Sequence, residues 1–272
     1  MKYYLYNSLA NNGIKPQTEE GVTLIDAVGM DYAKYLEGLS PEDEVVLVGG
    51  DGTLNYFINA VKGVEIKNNI YLLGCGTGND FLKDIGKEPG EEILINDYLK
   101  NLPTVYVNGM EKLFLNNMGF GIDGYCCEVA DKIKAVSPGK EINYSGIAIK
   151  GLLFHFKPCH AVITVDGEKH EFDHVWIAPT MKGRFYGGGM NMAPDQDRLS
   201  DKLSVVVYRS ASKLKALIAF PSIFKGEHIQ KKNMVSVFTG NEISVSFSRP
   251  CAAQIDGETV LNVTEYKAVL PS

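Results

Sequence analysis

At 272 residues the chain exceeds one average domain, and two domains are the natural expectation. A hydrophobic content of 45% and a charged content of 22% are those of an ordinary soluble globular protein. The net charge of −6 argues against nucleic acid as a bulk partner and against a strongly polybasic hold on anionic membrane. Lys225 with Lys231 and Lys232 forms a local basic patch, although such a run also suits a solvated face. No apolar run is long enough to span a bilayer, and the N-terminus turns polar at Asn7, too early for a signal peptide. The five cysteines are odd in number and lack a C-x-x-C, which reads as reduced thiols in a cytoplasmic protein.

Residues 3–6 predict a first strand, and Asn7 through Gly13 is turn chemistry after it. Val22–Ile25 is too short to decide between strand and helix, whereas Tyr32–Leu39 predicts a helix ending before Ser40-Pro41. The stretch that organises the chain comes next: Val45–Val48 predicts a buried parallel strand, followed by Gly49-Gly50-Asp51-Gly52-Thr53. Leu54, Phe57, Ile58 and Val61 then fall at helical spacing, with Thr53 placed to cap or open the helix. A strand, a glycine turn and a helix N-terminus make a site for phosphate, because glycines allow close approach and the terminal amides favour an anion. Asp51 would repel phosphate unless a magnesium ion or a reacting hydroxyl lies between them; otherwise the stretch is an ordinary turn with an incidental acid.

The pattern recurs at Ile70–Leu73, a short strand leading into Gly74-Cys75-Gly76-Thr77-Gly78-Asn79-Asp80-Phe81. In an open α/β sheet, ligands bind where loops leave the carboxyl ends of adjacent strands. Two such loops would face each other across one nucleotide. No G-x-x-x-x-G-K-[ST] occurs, so backbone and magnesium would take the place of a P-loop lysine. Helices are predicted over 80–86 and 91–100, and the alternation implies a doubly wound parallel sheet over residues 1–105.

After Pro103 strand-like runs dominate: Thr104–Val107, Lys112–Asn116, Ala161–Val165, Phe172–Ile177, Leu203–Tyr208, Met234–Phe238, Ile243–Phe247 and Tyr266–Leu270. Helical interruptions are expected near 122–135, 144–155 and 213–224. Residues 106–272 therefore read as a mostly antiparallel β domain, a sandwich or flattened barrel. His170-Glu171-Phe172-Asp173-His174 spells H-E-x-x-H, but it follows the Asp166-Gly167 turn in hairpin context. On a strand its imidazoles would lie roughly 13 Å apart, too far for one zinc ion. Gly119 to Gly124 spells G-x-G-x-x-G outside any βαβ rhythm and reads as a close turn. Lys182 and Arg184 could reach phosphate or be solvated. Asp256-Gly257-Glu258 sets two acids on a tight turn that is otherwise an ordinary hairpin corner.

Gly49–Thr53 followed by Gly76–Phe81 resembles the diacylglycerol kinase catalytic-domain family, the bacterial soluble lipid kinases related to sphingosine kinases. Asn117–Asp123, Gly187–Met190 with Ala193-Pro194, and Gln254–Glu258 extend the resemblance along nearly the whole chain. The resemblance implies an ATP-dependent lipid kinase, with magnesium, acting on a diacylglycerol-like hydroxyl in a cleft between the two domains. It implies Asp51, Asp256 and Glu258 as catalytic acids, with Asp51 on magnesium and phosphate, Glu258 as general base, and Asp256 holding metal or orienting Glu258; in the sphingosine kinase branch the base is instead the first-motif aspartate, here Asp51. It implies Asn7, Gly49, Gly50, Gly52, Thr53, Gly76, Thr77, Gly78, Asn79 and Asp80 around the nucleotide. The family's Asn-Pro-x-Ser-Gly-like loop lacks its proline here. Its Asp-Gly-x-Leu magnesium segment becomes Ser200-Asp201-Lys202-Leu203, which leaves Asp201 and Leu203 as candidate ligands.

The acceptor is not legible, since the apolar run Gly146–Phe156 could line a lipid pocket or simply pack. Phospholipid biosynthesis is the process such a kinase would serve, as a peripheral enzyme meeting lipid at the membrane surface. An exposed edge of the β domain could pair in a homodimer. The rival readings are an NAD kinase or other soluble-substrate kinase of the same superfamily, which shares the first motif, and a nucleotide-binding regulator that has lost catalysis.

Overall fold

The computed structural model describes residues 1–9, 15–16, 21–75, 79–137 and 142–271. The chain divides into two compact units, Met1–Leu102 and Pro103–Ser272. The first unit is an α/β sheet built from β1 (Lys2–Tyr6), β2 (Val22–Asp26), β3 (Glu44–Gly49), β4 (Asn69–Gly74) and β5 (Glu92–Leu94), ordered β2-β1-β3-β4-β5. The first four are parallel, and the short run at Val22 resolves as strand. Val45, Val46, Leu47 and Val48 are buried in β3, as a strand covered on both faces requires. Helix α1 (Tyr32–Glu37) precedes β3 and α2 (Asp51–Ala60) follows it. Leu54, Phe57, Ile58 and Val61 are all buried, each contributing roughly 1.5–3 kcal/mol by leaving water.

Two segments differ from expectation: 112–116, where one strand ends at Leu113 and the next starts at Asn117, and 91–100. Residues 91–100 are not a helix: β5 pairs antiparallel with β4, and a 3-10 turn occupies Asn96–Leu99. The reason lies in the sheet edge. Asn96 accepts from the Ile70 amide (2.8 Å) and donates to the Asn68 carbonyl (2.8 Å), so the segment satisfies β4 backbone that would otherwise stand open.

The second unit opens with β6 (Thr104–Val107), β7 (Met110–Leu113) and β8 (Asn117–Phe120). Helices α3 (Asp80–Asp84), in the first unit, and α4 (Ile122–Val136) and α5 (Tyr144–Lys150), in the second, complete the helices before β9 (Cys159–Val165). A π-helical turn, Gly151–His155, continues α5. β10 (Glu168–Ile177), β11 (Thr180–Met181), the small hairpin of β12 (Phe185–Tyr186) with β13 (Met190–Asn191), and β14 (Leu203–Arg209) follow. Helix α6 (Lys213–Ala219), with 3-10 turns at Phe220–Ile223 and Glu227–Gln230, leads to β15 (Val235–Gly240), β16 (Glu242–Ile255) and β17 (Glu258–Val269).

These strands form one antiparallel sheet ordered β7-β6-β17-β16-β8-β11-β14-β10-β9, with β15 on β14. β9 also pairs with β16, so the path from β16 round to β9 closes on itself. Its interior packs Phe120 against Phe247 and Tyr266, with Val205, Ile163 and Trp176 in the same core. Asp166 (φ 47°) and Gly167 (φ 87°) turn β9 into β10 in the left-handed region that a two-residue hairpin requires. The H-E-x-x-H string therefore lies on a strand, which excludes the helical zinc site.

Candidate active site

The order β2-β1-β3-β4 reverses direction between β1 and β3, the topological switch point at which doubly wound sheets bind ligands. Asn7 leaves the end of β1, where its side chain accepts from the Leu9 amide (2.8 Å) in an Asx turn. Next to it, β3 ends at Gly49, and Gly50 is the N-cap of α2 with no side chain capping it. A Cβ on Gly49 would lie 2.0 Å from Thr53 Oγ1, so that glycine is required by the helix folding back on its strand. A Cβ on Gly52 would meet nothing within 4 Å: the protein's own packing leaves space beside the first turn of α2. Gly74, at the end of β4, is fixed by Leu82, whose Cδ1 would stand 2.4 Å from an added Cβ.

Asp51 joins the two strand-to-helix junctions. Its carboxylate accepts from the amides of Asp80 (2.8 Å) and Phe81 (3.0 Å), the first turn of α3. The aspartate that looked out of place in a phosphate turn thus orders the neighbouring loop's helix, and Asn79 and Asp80 are brought to it as the N-cap and first residue. Gly76, Thr77 and Gly78 lie outside the described residues.

In the second unit Asp256 sits at φ 46°, a conformation asparagine and aspartate tolerate best after glycine. Its carboxylate accepts from three consecutive amides, Leu115 (2.5 Å), Asn116 (2.8 Å) and Asn117 (2.9 Å). Its own amide donates to the Asn117 carbonyl (3.0 Å). Asp256 therefore clamps the turn into β8 and fixes the Asp256-Gly257-Glu258 corner, as does Gln254, whose Oε1 accepts from the Gly257 amide (2.6 Å). Glu258 is half-exposed and ion-paired with Lys112.

The Asn117–Asp123 motif carries a residue whose burial the sequence concealed. Asp123 is buried at the start of α4, where it accepts from the Gly124 amide (2.8 Å) and faces Gln254 (3.4 Å). Burial pushes its carboxyl up to about 6, against the weaker pull of those hydrogen bonds. Gly119 and Gly124 make room: a Cβ on either would collide with Asp123 or with the Ala252 carbonyl.

Lys182 is neither solvated nor exposed to a ligand; it is 3% accessible and donates to the Ser200 carbonyl (2.9 Å). Burial first, then the Arg198 guanidinium, holds its ammonium below the usual lysine range, while Asp201 and Asp197 pull the other way. Gln196 Nε2 donates to the carbonyls of Asp197 and Lys202 (both 2.9 Å), and buried Arg198 donates to the Leu115 carbonyl (2.6 Å). These contacts do not fit the magnesium that the resemblance implies at Asp201 and Leu203. Ser200 stands where a carboxylate would, and its carbonyl already receives a fixed positive charge. Among the described residues no group of three His, Cys, Asp or Glu could hold a metal ion. Leu203 is buried at the start of β14 and Asp201 is exposed beside it. Gly187, Gly188 and Gly189 turn β12 into β13, all at positive φ.

Residues 20–103 match the model of the diacylglycerol kinase catalytic domain, and residues 116–272 match that of the YegS C-terminal NAD kinase beta sandwich-like domain. The chain belongs to the diacylglycerol kinase family. A diacylglycerol kinase of Mycobacterium tuberculosis (strain CDC 1551 / Oshkosh) is 25% identical over 97% of this chain and 85% of its own length. One of Bacillus subtilis (strain 168) is 24% identical over 79% and 71%. A solved diacylglycerol kinase structure from Bacillus anthracis str. Sterne shares the fold with a TM-score of 0.66 at 19% identity, covering 99% of this chain and 93% of that one.

Proposed function

We propose that this protein transfers the γ-phosphate of ATP, bound as its magnesium complex, to the hydroxyl of a diacylglycerol-like lipid. The observation that carries the reading is Asp51 on the first turn of α2, beside the open space at Gly52, with its carboxylate ordering the N-terminus of α3. That junction offers helix amides to phosphate and a carboxylate to the metal the nucleotide brings. Asn7, Gly49, Gly50, Thr53, Asn79 and Asp80 form the rest of the nucleotide site, together with Gly76, Thr77 and Gly78. In the transfer, a bond forms between the acceptor oxygen and the γ-phosphorus while the bond from γ-phosphorus to the bridging oxygen of ADP breaks. The acceptor's proton passes to Glu258. Asp256 acts as a positioning residue, because its carboxylate is engaged in holding the turn that presents Glu258.

The test is transfer of labelled γ-phosphate to diacylglycerol, monoacylglycerol, sphingosine, ceramide, phosphatidylglycerol and NAD in mixed micelles with magnesium. Product in the organic phase, lost in Glu258→Gln while nucleotide binding persists, is the expected result. Transfer to NAD alone would make the protein a soluble-substrate kinase, and tight ATP binding with no product on any acceptor would make it a regulator. Undiminished turnover in Glu258→Gln would remove the base assignment.

A further inference from the structure

The second unit carries a surface that neither the core nor the candidate site uses. On α6 and the turn after it, Leu214 (64% accessible), Ile218 (71%) and Phe224 (40%) are exposed. Leu214 and Ile218 are one helical turn apart and so share a face. The opposite face, Ala216 and Ala219, is buried, which fixes the orientation of the helix. Beside it, the π-helical turn presents Phe154 at 74% accessibility, and α5 presents Ile149 and Tyr144. The two segments adjoin, because Lys213 Nζ at the start of α6 donates to the Leu153 carbonyl (3.0 Å).

Charge decides what this ridge meets. In a chain of net charge −6, no acid occurs from Ile142 to Val165, and from Ala211 to Asn241 Glu227 is the sole one. Lys150, Lys157, Lys213, Lys215 and Lys225 flank the apolar side chains and are exposed. An apolar ridge bordered by cations inserts its hydrocarbon among acyl chains while the ammonium groups, on flexible stems, stay at the headgroups. A second copy paired two-fold through this ridge would set the same lysines against one another.

We infer that the α5–α6 ridge is the surface by which the protein docks on an anionic lipid bilayer, with Phe154, Leu214, Ile218 and Phe224 as the inserted side chains. The inference rests on the lipid-kinase reading for its purpose but not for its test. No helix among the described residues is long and apolar enough to cross a membrane, so attachment by this ridge would be peripheral.

The experiment is co-sedimentation of the full chain, without nucleotide, with vesicles of phosphatidylcholine alone or mixed with phosphatidylglycerol. Binding about tenfold tighter to the anionic vesicles, weakened by salt, is expected from a few lysines near a charged surface. Leu214→Asp with Ile218→Asp should abolish sedimentation while leaving the melting temperature and phosphorylation of a short-chain, water-dispersed diacylglycerol unchanged. Wild-type protein that ignores anionic vesicles, or a double variant that still binds them, overturns the inference. A wild-type dimer that the double variant dissociates, without vesicle binding, assigns the ridge to self-association instead and overturns it too. Vesicle binding lost in the variant, with no lipid phosphorylated by either protein, upholds the ridge and rejects the kinase reading.

Discussion

Replacing Asp256 separates a positioning role from a chemical one. The carboxylate holds three backbone amides, and hydrogen bonds to a charged acceptor contribute about 1.5–3 kcal/mol each against roughly 0.5–1.5 for neutral ones. Asp256→Asn keeps a side chain that tolerates φ 46° but offers a single acceptor oxygen. One amide would then face an NH2 group, and the other bonds would lose their charge. The sum is about 3 kcal/mol, which for a unit of this size lowers the melting temperature by roughly 6–12 °C. Asp256→Ala adds the cost of left-handed backbone and should fall further. The assay is thermal unfolding of the full chain followed by circular dichroism, with turnover measured well below the transition. Glu258→Gln is the control, because its half-exposed ion pair with Lys112 contributes at most about 1 kcal/mol. If Asp256→Asn melts within about 2 °C of wild type yet is inactive, the clamp argument is wrong and the carboxylate acts directly on the reactants.

Asp51→Asn should lose turnover and also destabilise the first unit by about 2 kcal/mol, since one amide at the start of α3 loses its charged acceptor; unchanged hydrogen exchange at Asp80 and Phe81 would count against this. Asp123 predicts a pH signature: its folded carboxyl titrates at about 6 against an unfolded 3.8. The unfolded chain therefore releases this proton first, so the contribution to stability is complete below about pH 4 and is lost as pH rises through 6, a fall of about 3 kcal/mol. Asp123→Asn should remove that fall, read as the difference between wild-type and variant denaturation midpoints from pH 4 to 7, and a difference that stays flat refutes the burial argument.

What could be read from the sequence was what local chemistry determines. Asp166-Gly167 gave a hairpin because both residues tolerate left-handed backbone, and that turn alone disqualifies the H-E-x-x-H string. β3 and α2 were legible because burial on both faces of one and on a single stripe of the other leaves different periodicities. The run at 91–100 was not, since Ile93 and Ile95 alternate as in a strand while Ile95, Tyr98 and Leu99 fall at helical spacing. The choice was made by the open edge of β4, a demand that lies outside the segment.

The same division runs through the site. Asp51, Asp256 and Glu258 were identifiable as acids set among glycines, but residue type and spacing carry no information about which oxygen meets which amide. The partners of Asp256 lie about 140 residues earlier in the chain. Lys182 beside a glycine run had the composition of a phosphate ligand, and its role is set instead by Ser200, where the family's segment has an acid. The half-buried Ser200 carbonyl needs a donor whether or not a metal is at hand. A lysine placed there supplies both the donor and the charge, which commits Lys182 to the Ser200 carbonyl rather than to phosphate.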